Sequence, residues 1–258
     1  MNYQTIRLRH QDGVAVITLN RPDVMNALNT QMRAEILHAV RDAEKTARVI
    51  VLTGEGRAFC SGQDLGDKAS IASADLERIL RDEYVPMLRA IYECAVPTIA
   101  AVNGPAAGAG ANLALAADVV IATESAVFLQ AFTRIGLIPD AGGTYWLPRQ
   151  IGFAKAMGAA LFAEPVTARQ ASDWGMIWEA VSDDAFDAHW RARAGKLASG
   201  PTVAYRHLKD AMRHSFENDL EEQLLLEARL QSACGQTRDF KEGVIAFLEK
   251  RTASYEGR

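Results

Sequence analysis

"PTIAAVNGPAAGAGANLALAADVVIAT", residues 97–123, decides the fold. An apolar run through Ile99 and Val102 stops at Asn103-Gly104, small residues follow, 106–116 has the character of a helix, and "DVVIAT" begins a second apolar run. Strand, glycine turn, helix and strand in that order describe a parallel unit, whose connection crosses over right-handedly and whose ligands gather beyond the carboxyl ends of the strands.

The same pattern extends towards the N-terminus. "VIVLTG" (49–54) is a short, continuously apolar strand of the kind buried on both faces of a parallel sheet. Before it, "TIRLRHQDGVAVITL" alternates apolar and polar residues on either side of Asp12-Gly13, which predicts a β-hairpin with Ile6 and Leu8 opposite Val14, Val16 or Ile17. Asn29 or Thr30 can cap a helix that carries Met32, Ile36, Ala39, Val40 and Ala43 on one face. A further helix is expected from Asp75 to Cys94, and a further strand at "AVFLQAF". After Trp146 the strand signals stop, and 153–162, 167–174, 183–198, 201–213, 219–234 and 237–250 look helical. An α/β core over 1–195 followed by a helical region over 196–258 is therefore expected.

Composition narrows the function. The 258 residues are 49% hydrophobic and carry a formal charge of −4 with no basic block, which speaks against a nucleic-acid partner. Three scattered cysteines form no CxxC and no Cys/His cluster, so neither a disulfide framework nor a metal site is expected. No apolar run approaches the ~20 residues of a membrane span, and the N-terminus lacks a signal core, so a cytoplasmic protein is expected.

Three loops follow strands: "GEGRAFCSGQDL" (54–65), "NGPAAGAGANLALAAD" (103–118) and "GLIPDAGGTYW" (136–146). Small residues in the first two suit tight turns, and equally suit a backbone that approaches a ligand with free N–H groups. "GPAAGAG" has the order GxxxGxG, not GxGxxG, and no GK[ST] follows, so a nucleotide cradle fits poorly. In the third loop Asp140 has two readings. As a helix N-cap its pKa would fall; among Leu137, Ile138, Phe132 and Trp146, desolvation would raise it. The five histidines lie outside all three loops.

Taken together, "NRPDVMNALN" (20–29), "GRAFCSGQDL" (56–65), "VNGPAAGAGANLALAADVVIA" (102–122), "GLIPDAGGT" (136–144), "ARQASDWGMIWEAV" (168–181) and "FKEGVIAFLEKR" (240–251) resemble, in order, the signatures of the crotonase (enoyl-CoA hydratase/isomerase) superfamily. The resemblance implies a crotonase-like spiral of repeated ββα units, a helical C-terminal trimerisation region and a homotrimer or a hexamer built as a dimer of trimers, with a hydratase as a further partner. It implies an acyl-CoA thioester substrate, with coenzyme A part of the substrate and no separate cofactor. On matching positions it gives Gln63 and Ala109 as oxyanion-hole N–H donors, and Ala27, Leu28, Ser61, Asp64, Leu65 and Lys250 as CoA-binding residues. The two glutamates that hydratases of this family use fall on Asn112 and Phe132, neither of which transfers a proton as a carboxylate does. Asp140 falls where family isomerases place their working acid.

Within the superfamily the likeness is greatest to isomerases acting on 2-(1,2-epoxy-1,2-dihydrophenyl)acetyl-CoA in phenylacetate degradation, which form oxepin-CoA and also shift Δ3 double bonds to Δ2. Hydration, and acyl-CoA binding without catalysis in a partner subunit, are the alternatives. A related dehalogenase uses an acid here as nucleophile, but needs a histidine that 83–92 does not supply.

Overall fold

The structure is a computed structural model that describes residues 2–66 and 75–258. Strands β1 (Ile6–Gln11) and β2 (Val14–Leu19) form the expected hairpin, with Asp12 (φ 50°) and Gly13 (φ 78°) both left-handed, as a tight two-residue turn requires. Leu8 pairs with Ile17, but Ile6 pairs with Leu19, further along β2 than the alternation suggested. β3 (Val49–Gly54), β4 (Thr98–Val102), β6 (Val119–Thr123) and β9 (Glu179–Val181) extend the sheet in parallel, in the order β1-β2-β3-β4-β6-β9. A smaller sheet joins β5 (Ala106–Ala107), β7 (Val127–Leu129) and β8 (Val166–Thr167). β8 and β9 lie beyond Trp146, where no strand was expected; two and three residues are too few to show a period of two.

Both faces of the central strands β3, β4 and β6 are covered, which is why these strands are almost continuously apolar. On one side Ile50, Leu52, Ala100 and Val102 join a cluster with Met32, Ile36, Ala39 and Val40 of α1 (Thr30–Ala43), capped by Asn29, whose side chain accepts from Met32 N. On the other side Val49, Val51, Ile99, Ala101 and Ile121 pack against Phe186, Trp190, Ala194 and Ala198. Those four residues belong to one helix, Phe186–Ala198, so the expected junction at 195/196 lies inside an element that covers the sheet.

The remaining helices, in chain order, are α2 (Leu76–Ile79), α3 (Val85–Tyr92), α4 (Ala109–Leu115), α5 (Gly143–Phe162), α6 (Ala168–Asp173), α7 (the Phe186–Ala198 helix), α8 (Thr202–His214), α9 (Leu220–Gly235) and α10 (Arg238–Glu249). A π-helical turn, Leu80–Tyr84, joins α2 to α3. α5 loses helical geometry at Gly152 (φ 73°, ψ 161°). α4 starts later than the sequence suggested, because Ala106–Ala107 is drawn into the small sheet and Cys60 pairs with Ala106. Among the described residues no helix is long and apolar enough to cross a membrane.

Candidate active site

Main-chain bonds lace the first glycine-rich loop to the second and to the segment around Leu28. Ala107 N donates to Cys60 O (2.9 Å), Leu28 N to Gly62 O (2.8 Å) and Asp64 N to Leu28 O (3.1 Å), so Leu28 and Gln63 pair as a short parallel bridge. Glycine is needed at the contact: a Cβ on Gly110 would strike Cys60 O, and one on Gly62 (φ 96°) would lie 2.8 Å from Ala107 O and 3.4 Å from Ala109 N. The turn at Gly62 therefore lies against the first residue of α4. Neither Gln63 N–H nor Ala109 N–H donates to a protein acceptor among the described residues. Two adjacent backbone donors are left free, which is what an oxyanion needs. The ring of Phe132, itself buried, comes within 3.8 Å of the place a Cβ on Gly108 would occupy, forming an apolar wall beside that turn.

The third loop delivers Asp140. It does not cap α5: Gly142, in the left-handed region (φ 84°), occupies the cap position and makes no side-chain cap bond. Oδ1 of Asp140 is buried and has no hydrogen-bond partner among the described residues. Desolvation alone pushes the carboxyl up to about 6, the direction the apolar reading expected, but two of the residues expected to supply it, Leu137 and Ile138, are themselves exposed. The loop is held through main-chain atoms. Asn112 Nδ2 donates to Asp140 O (2.7 Å), Asn112 Oδ1 accepts from Gln130 Nε2 (2.9 Å), and Gly143 N donates to Asp140 O (2.8 Å). A Cβ on Gly143 would lie 2.5 Å from Asn112 Nδ2, which explains the second glycine of "DAGGT".

The other expected residues divide. Ala27 and Leu28 are buried beside the "SGQDL" loop. Ser61 Oγ donates to Val24 O (3.2 Å). Asp64 pairs with Arg21 Nη1 (2.7 Å); burial works against its charge, but the Arg21 bond and the Gly66 N–H outweigh it and hold the carboxyl below its ordinary value. Leu65 is exposed. Lys250 caps α10 in the left-handed region (φ 55°), and no described contact brings it to the loops. His189 is engaged by Glu179 and His38 by Tyr3, away from this site. Among the described residues no cluster of metal-ligating side chains occurs. A cavity of about 610 Å³ between Arg7, Arg9, Glu55 and α7 meets the first two loops at their beginnings, Gly54, Gly56 and Asn103, and is not lined by Gln63, Ala109 or Asp140.

Two residues that sequence reasoning did not assign stand behind Gln63. Its side-chain Oε1 accepts from Tyr84 Oη (2.5 Å) and Arg33 Nη1 (2.9 Å). Burial, opposed by Arg33 and reinforced by the nearby Asp140 charge, holds the Tyr84 phenol well above its ordinary pKa. The one signal was an arginine at position 33, three before Ile36 on the apolar face of α1.

A desolvated carboxylate and a pair of free main-chain N–H groups are the kinds of group that proton transfer beside a carbonyl requires. The sequence profile of the enoyl-CoA hydratase/isomerase family matches residues 9–258, and the chain belongs to that family. It is 62% identical over 258 residues, covering all of both chains, to a "Probable enoyl-CoA hydratase" of Rhodobacter capsulatus. It is 43% identical over 253 residues to the 1,2-epoxyphenylacetyl-CoA isomerase of Escherichia coli, covering 96% of this chain and 97% of that one. A crystal structure of enoyl-CoA hydratase from Bacillus anthracis superposes with a TM-score of 0.91 at 32% identity, over 99% of this chain and all of the other. The fold is thus crotonase-like, and the protein is an enzyme that processes acyl-CoA thioesters.

Proposed function

We propose that the enzyme is an acyl-CoA isomerase in which Asp140 is the one proton-transferring group. The observation that carries the proposal is the pairing of an unpartnered, desolvated Asp140 carboxylate with an Asn112 side chain already committed on both of its ends. Asp140 takes a proton from Cα of a 3-enoyl thioester. The electrons pass to the thioester oxygen, which Gln63 and Ala109 N–H hold as an enolate, and the proton returns at Cγ to leave the 2-enoyl product. One preorganised donor of this kind contributes about 2.7–4 kcal/mol. The likeness to 1,2-epoxyphenylacetyl-CoA isomerase extends the proposed substrates to the ring epoxide, with oxepin-CoA as product.

Ala27, Leu28, Ser61, Asp64 and Leu65 are proposed to line the CoA end, with Lys250 reaching it from α10. We further propose a cytoplasmic homotrimer or hexamer that needs no cofactor beyond the CoA its substrate carries. Exposed Met212, Phe216, Leu220 and Leu224 on and around α8 and α9 favour such an assembly, since large apolar side chains exposed close together in sequence suit a partner.

Hydration is the second reading, favoured by the name of the 62% identical relative and by a 2,3-dehydroadipyl-CoA hydratase 36% identical over 250 residues. It needs a held water, and Asn112 and Phe132 offer no acid to hold it. The test supplies a 3-enoyl-CoA and a 2-enoyl-CoA separately and follows the conjugated-thioester absorbance. Absorbance that rises with the first and persists with the second supports isomerisation. Rapid loss with the second makes the enzyme a hydratase, and tight CoA-ester binding with no change in either makes it a binding subunit.

A further inference from the structure

Gln63 is bracketed by main-chain bonds to Leu28, through Gly62 O and Asp64 N, but its own N–H donates to no protein acceptor among the described residues. Gly62 before it (φ 96°) and Gly66 after it (φ 57°) both lie in the left-handed region. Its side chain, by contrast, is fastened. Both lone pairs of Oε1 are taken, by Tyr84 Oη and Arg33 Nη1, and Nε2 donates to Asp64 O (3.3 Å).

The fastening groups are themselves fixed. Arg33 is 2% exposed and spends its remaining N–H groups on Leu28 O (2.7 Å), Thr30 Oγ1 (3.1 Å) and Glu83 Oε2 (2.5 Å from Nη2, 3.1 Å from Nε). Its guanidinium also lies 4.8 Å from the Tyr84 ring centre. Glu83 and Tyr84 are neighbours at the end of the π-helical turn Leu80–Tyr84, a geometry that recurs at functional sites. The turn directs one residue to Arg33 and the next to Gln63. A buried arginine with every donor occupied sets a direction that a solvated side chain could not.

Resting on the oxyanion-hole reading above, we propose that Arg33 and Tyr84 are positioning residues which clamp the Gln63 side-chain carbonyl and so aim the Gln63 main-chain N–H at the enolate oxygen. Neither touches the reacting atoms. Both act through Gln63, and their contribution belongs to the enolate rather than to the bound thioester.

The experiment uses 3-ketohexanoyl-CoA, whose enolate absorbs in the near ultraviolet, and titrates the bound ligand against pH on the parent enzyme, on Tyr84→Phe and on Gln63→Ala. Hexanoyl-CoA affinity is measured beside it as the ground-state reference. Gln63→Ala keeps the main-chain donor and lies outside the core, so it serves if Tyr84→Phe does not fold. On the parent the bound enolate forms below the pH at which it forms in free solution. In both variants enolate stabilisation falls by about 10- to 100-fold, short of the loss that follows removal of a donor outright, while hexanoyl-CoA binds as before. Variants that stabilise the enolate as the parent does would overturn the clamp alone. A parent enzyme that leaves the bound ligand's titration unchanged would overturn the oxyanion-hole reading, and the clamp with it.

Discussion

Asn112 donates its side-chain N–H to the main-chain carbonyl of Asp140 over 2.7 Å, and its side-chain oxygen accepts from Gln130. A residue on α4, the helix that starts at the proposed oxyanion donor Ala109, thus fixes the loop that carries Asp140. The hydratase acid expected at this position is replaced by an amide whose function is structural, and its consequences can be measured.

Asn112→Ala leaves Asp140 O short of a donor and Gln130 Nε2 unpaired in a buried setting. The expected loss is about 2–4 kcal/mol of stability, read by urea unfolding, and about 10- to 100-fold in isomerisation rate as the carboxylate drifts from the substrate. Asn112→Glu does not create a hydratase. It sets an acceptor-only group against the Asp140 carbonyl, and Phe132 still supplies no second acid, so 2-enoyl-CoA absorbance stays constant.

Gly143→Ala puts a Cβ 2.5 Å from Asn112 Nδ2. The amide has to move, and the bond to Asp140 O moves with it. The expected cost is about 1–3 kcal/mol in thermal or urea unfolding, with isomerisation reduced alongside.

Asp140 acts as a base only when ionised. With its carboxyl raised to about 6, kcat/KM rises with pH through a midpoint near that value and levels off above it. An ordinary exposed aspartate would give a midpoint about two units lower. A pH–rate profile on a 3-enoyl-CoA separates the two.

The same burial has a stability cost of definite sign. The folded-state pKa lies above the ordinary 3.8, so the folded protein binds the proton more tightly than the unfolded chain does. The stability that this confers is complete below 3.8 and is lost as pH rises towards about 6. Asp140→Asn, which cannot ionise, is therefore expected to be more stable than the parent above neutral pH, by up to about 3 kcal/mol, and equal to it in acid. Urea unfolding of both proteins at the two extremes reads the difference.

Legibility followed range. The hairpin at Asp12-Gly13, the Asn29 cap and the buried strand Val49–Gly54 are written in neighbouring residues, and the structure has them there. β5, β8 and β9 are two or three residues long and exist because distant segments pair with them, so no local pattern announced them. The surroundings of Asp140 were ambiguous for a similar reason: whether it caps α5 depends on Gly142 adopting a left-handed conformation. Tyr84 lies 21 residues from Gln63, and Arg33 lies 30 from it. An arginine on a helix is usually solvated, and only its place beside Ile36 on an apolar face hinted otherwise. Lys250 was assigned by resemblance, and among the described residues no contact brings it to the loops.

The most direct measurement is the rate at which Asp140→Asn converts a 3-enoyl-CoA to the conjugated 2-enoyl-CoA, set beside the parent enzyme at a pH where the parent's Asp140 is ionised. A fall of about 10²- to 10⁴-fold in a folded variant that still binds the CoA ester is the expected result, and leaves one carboxylate carrying the proton between two carbons. A variant that keeps the parent's rate would contradict it and put the working base on some other side chain.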